Sequence, residues 1–298
     1  EYVQDCNAIL CPYFAGQAGG KAVTDAIFGL YNPSGKLTDT WPKAYCDTPS
    51  YKNYGGENKE VWYGEGIYVG YRWYDARKIE PLFPFGYGLS YTSFAFSDLQ
   101  VEDTDVEKED IMVKVSVENT GNMVGAEVVQ LYVASPKSSF DKPEKELKGF
   151  QKVYLQPGEK TEVTLTVSKE DLAHYHTALE EFVTEPGTYR ILVGNSSRDI
   201  ALSKEIRVIC HDPFGWNVIT GIGKLVSNPK AVEIMNKAIG DDINLVAAVP
   251  IQYAPDYTLK ELWETESSAI STLFNKQGKT AEEKKQAWDY IVKEFKKL

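Results

Sequence analysis

Apolar and polar positions follow three different patterns along the 298-residue chain. Residues 1–92 mix short apolar runs with many glycines and aromatic residues, residues 93–210 alternate apolar and polar positions, and residues 211–298 repeat apolar positions at helical spacing. A period of two indicates strands, and a period near 3.6 indicates helices. The patterns predict a mixed fold of three domains with boundaries near residues 92 and 210.

The first region predicts one unit of an α/β domain. Residues 8–11 are a candidate strand, residues 21–30 place apolar side chains on one helix face, and residues 36–41 are a second candidate strand. The turn signal Asn32-Pro33-Ser34-Gly35 precedes the second strand. Strand, helix, turn and strand in this order are typical of an α/β sheet. Because the region begins abruptly with a strand, we expect only part of such a domain.

The second region predicts a β-sandwich. Turn residues such as Pro157-Gly158 and Pro186-Gly187 separate its β-rich runs. The candidate strands cover residues 111–117, 126–133, 152–155, 161–167 and 188–193. Several short strands at regular intervals over about 100 residues are typical of sandwiches of the immunoglobulin or fibronectin type III kind.

The third region predicts an α-helical extension at residues 211–298. The sequence Thr280-Ala281-Glu282-Glu283 is a capping box, and the apolar side chains behind it share one helix face. An earlier helix should cover residues 230–239, begun by Asn228-Pro229 and stopped at Gly240. Leu262 and Trp263 lie in a third helix. We interpret the apolar face as a packing surface.

Composition and charge exclude several classes of partner. The net charge of −11 argues against nucleic acid and anionic membranes, which attract basic surfaces. No stretch approaches the roughly 20 apolar residues that span a bilayer. The first residues, 1–5, do not resemble a signal peptide, and the chain opens on Glu1, so we expect it to be cut from a longer protein. A homo-oligomer is possible on these data.

The sequence offers no metal or cofactor site. It contains no CxxC pair, phosphate-binding loop, GxGxxG or GxSxG motif, and His174 and His176 have no further ligand at metal-binding spacing. We interpret the four cysteines as free buried thiols of a reducing compartment and expect a cytoplasmic protein. The glycosylation sequon Asn195-Ser196-Ser197 is interpreted as an ordinary turn.

The strongest candidate for chemistry is Glu65, which lies between Gly64 and Gly66 with the aromatic residues Trp62 and Tyr63 just before it. Glycine lets backbone and ligand approach closely, and aromatic faces suit the CH faces of a sugar ring. Removing water from around a carboxyl group raises its pKa, which suits a general acid near neutral pH. A solvent-facing carboxylate in a glycine-rich loop is the alternative.

Several segments together resemble glycoside hydrolase family 3. The segments 64–72 and 83–94 resemble the end of its α/β sandwich domain, and 16–20 with 32–37 resembles the preceding strand–helix–strand. The fibronectin-like domain of the family is matched by the segments 118–121, 127–133, 147–150 and 155–159. The helical tail loosely resembles the extension of some bacterial members. The resemblance implies a partial α/β sandwich domain, a fibronectin type III-like domain and a helical extension.

The resemblance also implies a function. In the family the glutamate at the position of Glu65 serves as acid/base in a retaining mechanism, while an aspartate nucleophile lies on a (β/α)8 barrel that these residues do not contain. We therefore expect the C-terminal portion of a β-glucosidase-like enzyme, inactive alone. Its partners would be the missing barrel domain and a β-linked oligosaccharide or glycoside, and Trp62 and Tyr63 would line the site.

Alternatives remain open at the level of sequence. Glu57 and Glu60 lie on the same loop and are rival acids. Asp75 is interpreted as a structural residue at the end of a strand that follows the Glu65 loop, and Asp39 as a structural residue of the α/β sandwich domain. A non-catalytic carbohydrate-binding module and a protein-interaction scaffold are the alternative functions.

Overall fold

The chain forms two compact units, each described separately below. The computed structural model describes residues 2–135, 138, 141–177, 179–213, 215–265 and 268–298. The first unit runs up to Ser168 and includes Gly187–Val208, whereas the second contains Lys169–Pro186 and Ile209–Leu298. The boundaries at residues 92 and 210 stay predictions, but the mixed fold class is confirmed, since helices and sheets are both present.

The chain contains ten strands in its described part, and eight of them build the first unit. They are β1 Phe94–Gln100, β2 Thr104–Asp105, β3 Ile111–Asn119, β4 Gly125–Ala134, β5 Glu146–Leu155, β6 Lys160–Val167, β7 His174–His176, β8 Glu181–Val183, β9 Gly187–Gly194 and β10 Ile200–Ile209. One sheet has the order β1-β3-β6 and another the order β2-β10-β9-β4-β5, while β7 and β8 form a separate hairpin. Three strands on one sheet and four long strands on the other match the predicted sandwich.

Alternation of side chains explains the sandwich core. On β3, Ile111, Val113, Val115 and Val117 are buried, and the residues between them are more exposed. Val115 lies opposite the buried Val163 of the antiparallel strand β6. All five predicted strands are confirmed, but the sequence interpretation missed β1 and β10, whose polar positions break the alternation.

The first 92 residues contain two α-helices, α1 Gly19–Ile27 and α2 Tyr71–Ala76. The helix predicted at residues 21–30 is therefore confirmed, but it ends earlier. The strands predicted at residues 8–11 and 36–41 are wrong, because neither segment forms a regular strand. Leu37 and Trp41 nevertheless exchange backbone hydrogen bonds with residues 82–87. Residues 8–11 are irregular, and Trp41 makes only an isolated bridge with Phe83. An apolar run forms a strand only where a neighbour pairs with it.

The second unit is largely helical. Its helices are α3 Lys169–Leu172, α4 Ile222–Leu225, α5 Pro229–Ile239, α6 Ile243–Val246, α7 Ala248–Tyr253, α8 Leu259–Glu264, α9 Ala269–Lys276 and α10 Ala281–Phe295. The predicted caps are confirmed: Asn228 accepts a hydrogen bond from the N–H of Lys230, Gly240 ends α5 with a φ of 75°, and Thr280 and Glu283 cap α10 reciprocally.

A single apolar core holds the second unit together. Met235, Ile239, Phe274 and Phe295 are fully buried in it, and Leu179 from the turn between β7 and β8 packs against the same cluster. The segment from Lys169 to Pro186, although inserted between two sandwich strands, therefore shares its core with the helices.

Asn119 joins the sandwich to the segment that precedes it. Its buried side chain donates from Nδ2 to the carbonyls of Met123 and Leu155 at 2.9 and 3.0 Å. Its Oδ1 accepts from Thr92 Oγ1 at 2.7 Å and from the N–H of Gly121 at 3.1 Å. All four hydrogen-bonding positions of the amide are therefore used.

Replacing Asn119 by aspartate should destabilise the first unit strongly. The substitution keeps the shape but turns the Nδ2 donor into an acceptor that faces two carbonyl oxygens, so we expect a loss of about 3 kcal/mol or more at pH 7. The loss should shrink near pH 4, because a buried aspartate between acceptors takes up a proton. Urea unfolding followed by circular dichroism measures both. Asn122→Asp, at an exposed neighbouring position, is the control and should change the free energy of unfolding by less than about 0.5 kcal/mol.

Candidate functional site

The loop that carries Glu65 begins with a tight backbone turn. The N–H groups of Glu57 and Glu60 each donate to the carbonyl of the other, at 2.9 and 2.8 Å. Asn58 and Lys59 between them have φ values of 52° and 69°, as a two-residue hairpin turn requires. Gly56 is required sterically, since a Cβ there would lie 2.2 Å from the Glu60 carbonyl oxygen. Both glutamates are exposed on this turn, which favours their interpretation as solvated charges.

Glu65 itself lies in a second turn. The N–H of Gly66 donates to the Tyr63 carbonyl at 3.2 Å, and the N–H of Tyr68 donates to the Glu65 carbonyl at 3.0 Å. Gly66 has a φ of 56°, which glycine adopts without strain. The Glu65 side chain is half-buried, and within the described ranges its carboxylate has no hydrogen-bond or ion-pair partner. The carboxylate is therefore available to a ligand.

The aromatic residues beside Glu65 do not shield it. Trp62 is 73% exposed and Tyr63 is 81% exposed, so neither ring is packed over the loop. The sequence interpretation expected aromatic side chains to remove water from around the acid. Trp62 and Tyr63 are open to solvent in this structure, and their role in lining a substrate site stays a prediction.

Helix α2 follows the loop and replaces the strand expected there. Gly70, with a φ of 59°, turns the chain immediately before Tyr71, where the helix begins. Tyr74 and Asp75 are buried on one face of the helix, and Trp73 donates from Nε1 to the carbonyl of Asp47 at 3.0 Å. Aromatic residues favour strands in general, but tertiary contacts on one face override this preference here.

Asp75 is held in a buried ion-pair cluster. Its side chain is 3% exposed and lies 2.6 Å from Lys145 Nζ and 3.0 Å from Arg198 Nε. Arg198 also donates to the carbonyl of Ile79 at 3.0 Å. Asp75 is therefore a structural residue as expected, although it lies on a helix and not at a strand end. Asp39, the other candidate structural carboxylate, is exposed.

Aromatic packing fixes the other side of α2. The Tyr71 ring stacks on Phe85 with ring centres 5.0 Å apart and meets Tyr132 edge-on at 5.9 Å. The Tyr71 oxygen accepts from the N–H of Leu147 at 2.8 Å. Burial raises the pKa of Tyr71 and of Tyr132, so both remain neutral phenols at physiological pH.

Gln130 links the glycine-rich segment after α2 to the sandwich. Its Nε2 donates to the carbonyls of Gly86 and Asn195 at 3.1 and 2.6 Å, and its Oε1 accepts from Tyr132 at 2.6 Å. Gly86 has a φ of 80°, and a Cβ there would lie 2.2 Å from Gln130 Oε1. No larger residue fits without moving the glutamine.

Lys36 makes a second link of the same kind. Its ammonium lies 2.7 Å from Glu127, with both side chains largely buried, and it donates to the Gly88 carbonyl at 3.0 Å. Lys36, Gly88 and Glu127 come from three separate sequence motifs. The motifs that carried the family resemblance therefore meet at one interface within the first unit.

The remaining sequence candidates show no catalytic arrangement. His174 and His176 lie on β7 as neighbours on one side of a strand, and no group of three or more His, Cys, Asp or Glu among the described residues could hold a metal ion. All four cysteines are free, but Cys6 and Cys46 are exposed, so the expectation of buried thiols is wrong for them. The cytoplasmic location stays a prediction. In the described part of the chain, no helix has the length and apolarity that crossing a membrane requires.

The sequon lies in the turn between β9 and β10. Ser196 and Ser197 are each 1% exposed, and Ser196 Oγ accepts from the N–H of Asp199 at 2.9 Å. Asn195 closes the turn through its N–H, which donates to the Asp199 carbonyl at 3.1 Å. The interpretation as an ordinary turn is confirmed.

Two family models match the chain, one before the sandwich strands and one within them. Residues 1–71 match the glycosyl hydrolase family 3 C-terminal domain, and residues 127–197 match the fibronectin type III-like domain. The fold and the loop thus define a pair of domains similar to these two family models. The resemblance to glycoside hydrolase family 3 is confirmed, and the first match includes Glu65.

Relatives of the chain are β-glucosidases. It is 50% identical over 208 residues to thermostable β-glucosidase B of Acetivibrio thermocellus, which covers 70% of this chain and 28% of that protein. It is 44% identical over 198 residues to a probable β-glucosidase K of Emericella nidulans, covering 66% of this chain and 23% of that protein. Since the relatives are both bacterial and fungal, a bacterial source stays a prediction.

Solved structures that are similar to this chain are also β-glucosidases. The β-glucosidase of Kluyveromyces marxianus in complex with glucose superimposes with a TM-score of 0.66 at 40% identity, over 70% of this chain and 25% of that chain. β-Glucosidase 3B of Thermotoga neapolitana in complex with α-D-glucose gives a TM-score of 0.60 at 46% identity, over 64% and 27%. The chain therefore spans only about a quarter of the length of these proteins.

Replacing Asp75 by asparagine should destabilise the first unit. The substitution keeps the shape but leaves Lys145 and Arg198 next to a neutral amide, and removing one partner of a buried ion pair costs about 3–5 kcal/mol. Chemical unfolding measures the change. Asp39→Asn, which removes the same charge from an exposed position, should change the free energy of unfolding by less than about 0.5 kcal/mol. Equal effects of the two substitutions would contradict the structural role of Asp75.

Proposed function

We propose that this chain supplies the general acid/base of a retaining β-glucosidase that removes terminal β-linked sugars, with Glu65 as that residue. The observation that carries the proposal is the Glu65 carboxylate, half-buried on a turn between two glycines and without a partner among the residues that the structure describes. The family match across residues 1–71 and the β-glucosidase relatives support the assignment of the reaction.

The mechanism has two steps of proton transfer at Glu65. In the first, an aspartate attacks the anomeric carbon while the Glu65 carboxyl gives its proton to the departing glycosidic oxygen. In the second, the Glu65 carboxylate takes a proton from water, the water oxygen attacks the anomeric carbon, and the aspartate leaves. A retaining mechanism needs the two carboxyl groups about 5–5.5 Å apart across the scissile bond.

The nucleophile in this proposal comes from a barrel domain that covers residues 1–92. Among the described residues, 18 of the 30 exposed large hydrophobic side chains lie before residue 92, which is far more than that segment's share of the chain. They include Phe14, Phe28, Leu30 and Trp62. Apolar surface of this extent marks an interaction surface, and a covering domain would also remove water from the Glu65 loop.

A second candidate function is a carbohydrate-binding module. Phe150 and Tyr154 are 68% and 70% exposed on the edge strand β5, with Lys152 between them on the same side. This alternative predicts that the chain alone binds a soluble β-glucan and that Phe150→Ala abolishes the binding while Glu65→Ala does not.

Leaving-group dependence tests the acid/base assignment. In the enzyme formed by joining this chain to a family 3 barrel, Glu65→Gln should lower kcat/KM for phenyl β-glucoside by about 10²–10⁴-fold, because the phenolate leaves only with a proton. The kcat/KM for 2,4-dinitrophenyl β-glucoside should stay within a fewfold, since that leaving group needs no proton. Azide should raise kcat of Glu65→Ala on the activated substrate and give a β-glucosyl azide.

Two rival acids provide matched controls for this experiment. Glu57→Gln and Glu60→Gln make the same chemical change on the same loop, at exposed positions, and should leave both substrates unaffected. If Glu65→Gln retains full activity on phenyl β-glucoside, the assignment is wrong. If Glu57→Gln or Glu60→Gln shows the leaving-group dependence in its place, the acid/base belongs to that residue.

A further inference from the structure

Part of the β4–β5 connection runs along the segment that follows Glu65. We call residues 141–147 the clasp segment. Its basic and acidic side chains pair with residues of opposite charge on or just after α2: Lys145 with Asp75 at 2.6 Å, Glu146 with Arg72 at 3.4 Å, and Glu144 with Lys78. Three consecutive charged residues of the clasp segment therefore each form an ion pair with a residue between 72 and 78.

The contact nearest to Glu65 is a hydrogen bond from the Tyr68 hydroxyl to Asp141 Oδ1. Tyr68 lies three residues after Glu65, and its N–H donates to the Glu65 carbonyl at 3.0 Å. The Tyr68 ring is thus attached directly to the turn that presents the acid. Among the described residues, this is the one side-chain hydrogen bond made by residues 61–69.

Gly70 separates this contact from the rest of the clasp. With a φ of 59° and no atom within 4 Å of a Cβ position, it is a joint between the Glu65 turn and α2 at which no side chain packs. On the helix side, Asp75 and Tyr71 are fixed by buried contacts with Lys145 and Leu147. The contacts that hold α2 in place therefore do not hold the Glu65 turn. The hydrogen bond between Tyr68 and Asp141 attaches that turn to the clasp segment.

We propose that the clasp segment of the sandwich sets the direction of the Glu65 carboxylate, with Tyr68 and Asp141 as positioning residues. The proposal rests on Glu65 being the acid/base. Asp141 lies between two strands of the fibronectin-like sandwich and holds the Tyr68 hydroxyl on the turn. The sandwich would therefore help to orient the acid and would not serve only as a spacer. The hydrogen bond to Asp141 also raises the pKa of Tyr68, so the phenol keeps its proton across the neutral pH range.

Amide hydrogen exchange on this chain tests the attachment without any activity. Tyr68→Phe and Asp141→Ala, which remove the donor and the acceptor of this hydrogen bond, should speed exchange at the amides of Gly66 and Tyr68 by about tenfold. Opening of the turn then no longer has to break the contact between the phenol and Asp141. The amides of α2 should be unaffected. The double variant should resemble either single variant, since both remove the same contact. Unchanged exchange at Gly66 and Tyr68 would overturn the proposal.

Kinetics on the chain joined to its barrel tests the consequence for catalysis. Both substitutions should lower kcat/KM for phenyl β-glucoside by about tenfold and leave kcat/KM for 2,4-dinitrophenyl β-glucoside within a fewfold, because only the first substrate depends on a well-directed proton. An equal fall for both substrates would mean a structural role alone and would contradict positioning. Tyr253→Phe and Asp110→Ala are the matched controls, since both side chains are exposed and lie outside the clasp segment and outside residues 1–92.

The two proposals can fail separately in this design. If Glu65→Gln shows no leaving-group dependence, the acid/base assignment fails, whatever the exchange experiment gives. If Glu65→Gln shows the dependence while Tyr68→Phe and Asp141→Ala match the wild type in both assays, the clasp proposal fails and the assignment of Glu65 stands.

Discussion

The position of the candidate acid depends on one buried carboxylate. Asp75 lies between Lys145 and Arg198, which come from different strands or loops of the sandwich. In a low-dielectric environment such a carboxylate must be fully paired, so the helix that carries it can occupy only one place on the sandwich. The turn with Glu65 precedes that helix directly. The electrostatic constraint on Asp75 therefore fixes the helix at which the loop with the candidate acid ends.

The same interface explains why the characteristic motifs of the chain are glycine-rich and polar. Gly86 allows Gln130 to approach the backbone, and Lys36 neutralises Glu127 in a buried position. Each contact joins the first 92 residues to the sandwich. Each also depends on the size and the polarity of the side chains that make it. Directional contacts of this kind specify orientation better than apolar packing does, because each tolerates only a narrow geometry.

Local signals in the sequence predicted local structure well. Asn228-Pro229 with Gly240, and Thr280 with Glu283, define helix ends because capping involves residues within one turn of each other. Alternation predicted the sandwich strands because apolar and polar positions alternate within a single strand. The partners of Asp75 could not be predicted, since Lys145 and Arg198 lie 70 and 123 positions further along the chain. The strand predicted at residues 8–11 is wrong, because an apolar run alone does not make a strand and no strand among the described residues pairs with this segment. The role of Glu65 came from the family resemblance and stays a prediction.

The insertion between β6 and β9 has a consequence for dissecting this protein. The chain crosses between the two units three times, after Ser168, before Gly187 and after Val208. A truncation near residue 210 would therefore not release a clean sandwich. The β7–β8 hairpin would remain in the sandwich fragment, and Leu179 would lack the helical core that it packs against. Because the chain passes between the two units three times, a single cut near residue 210 cannot separate the sandwich from the helices.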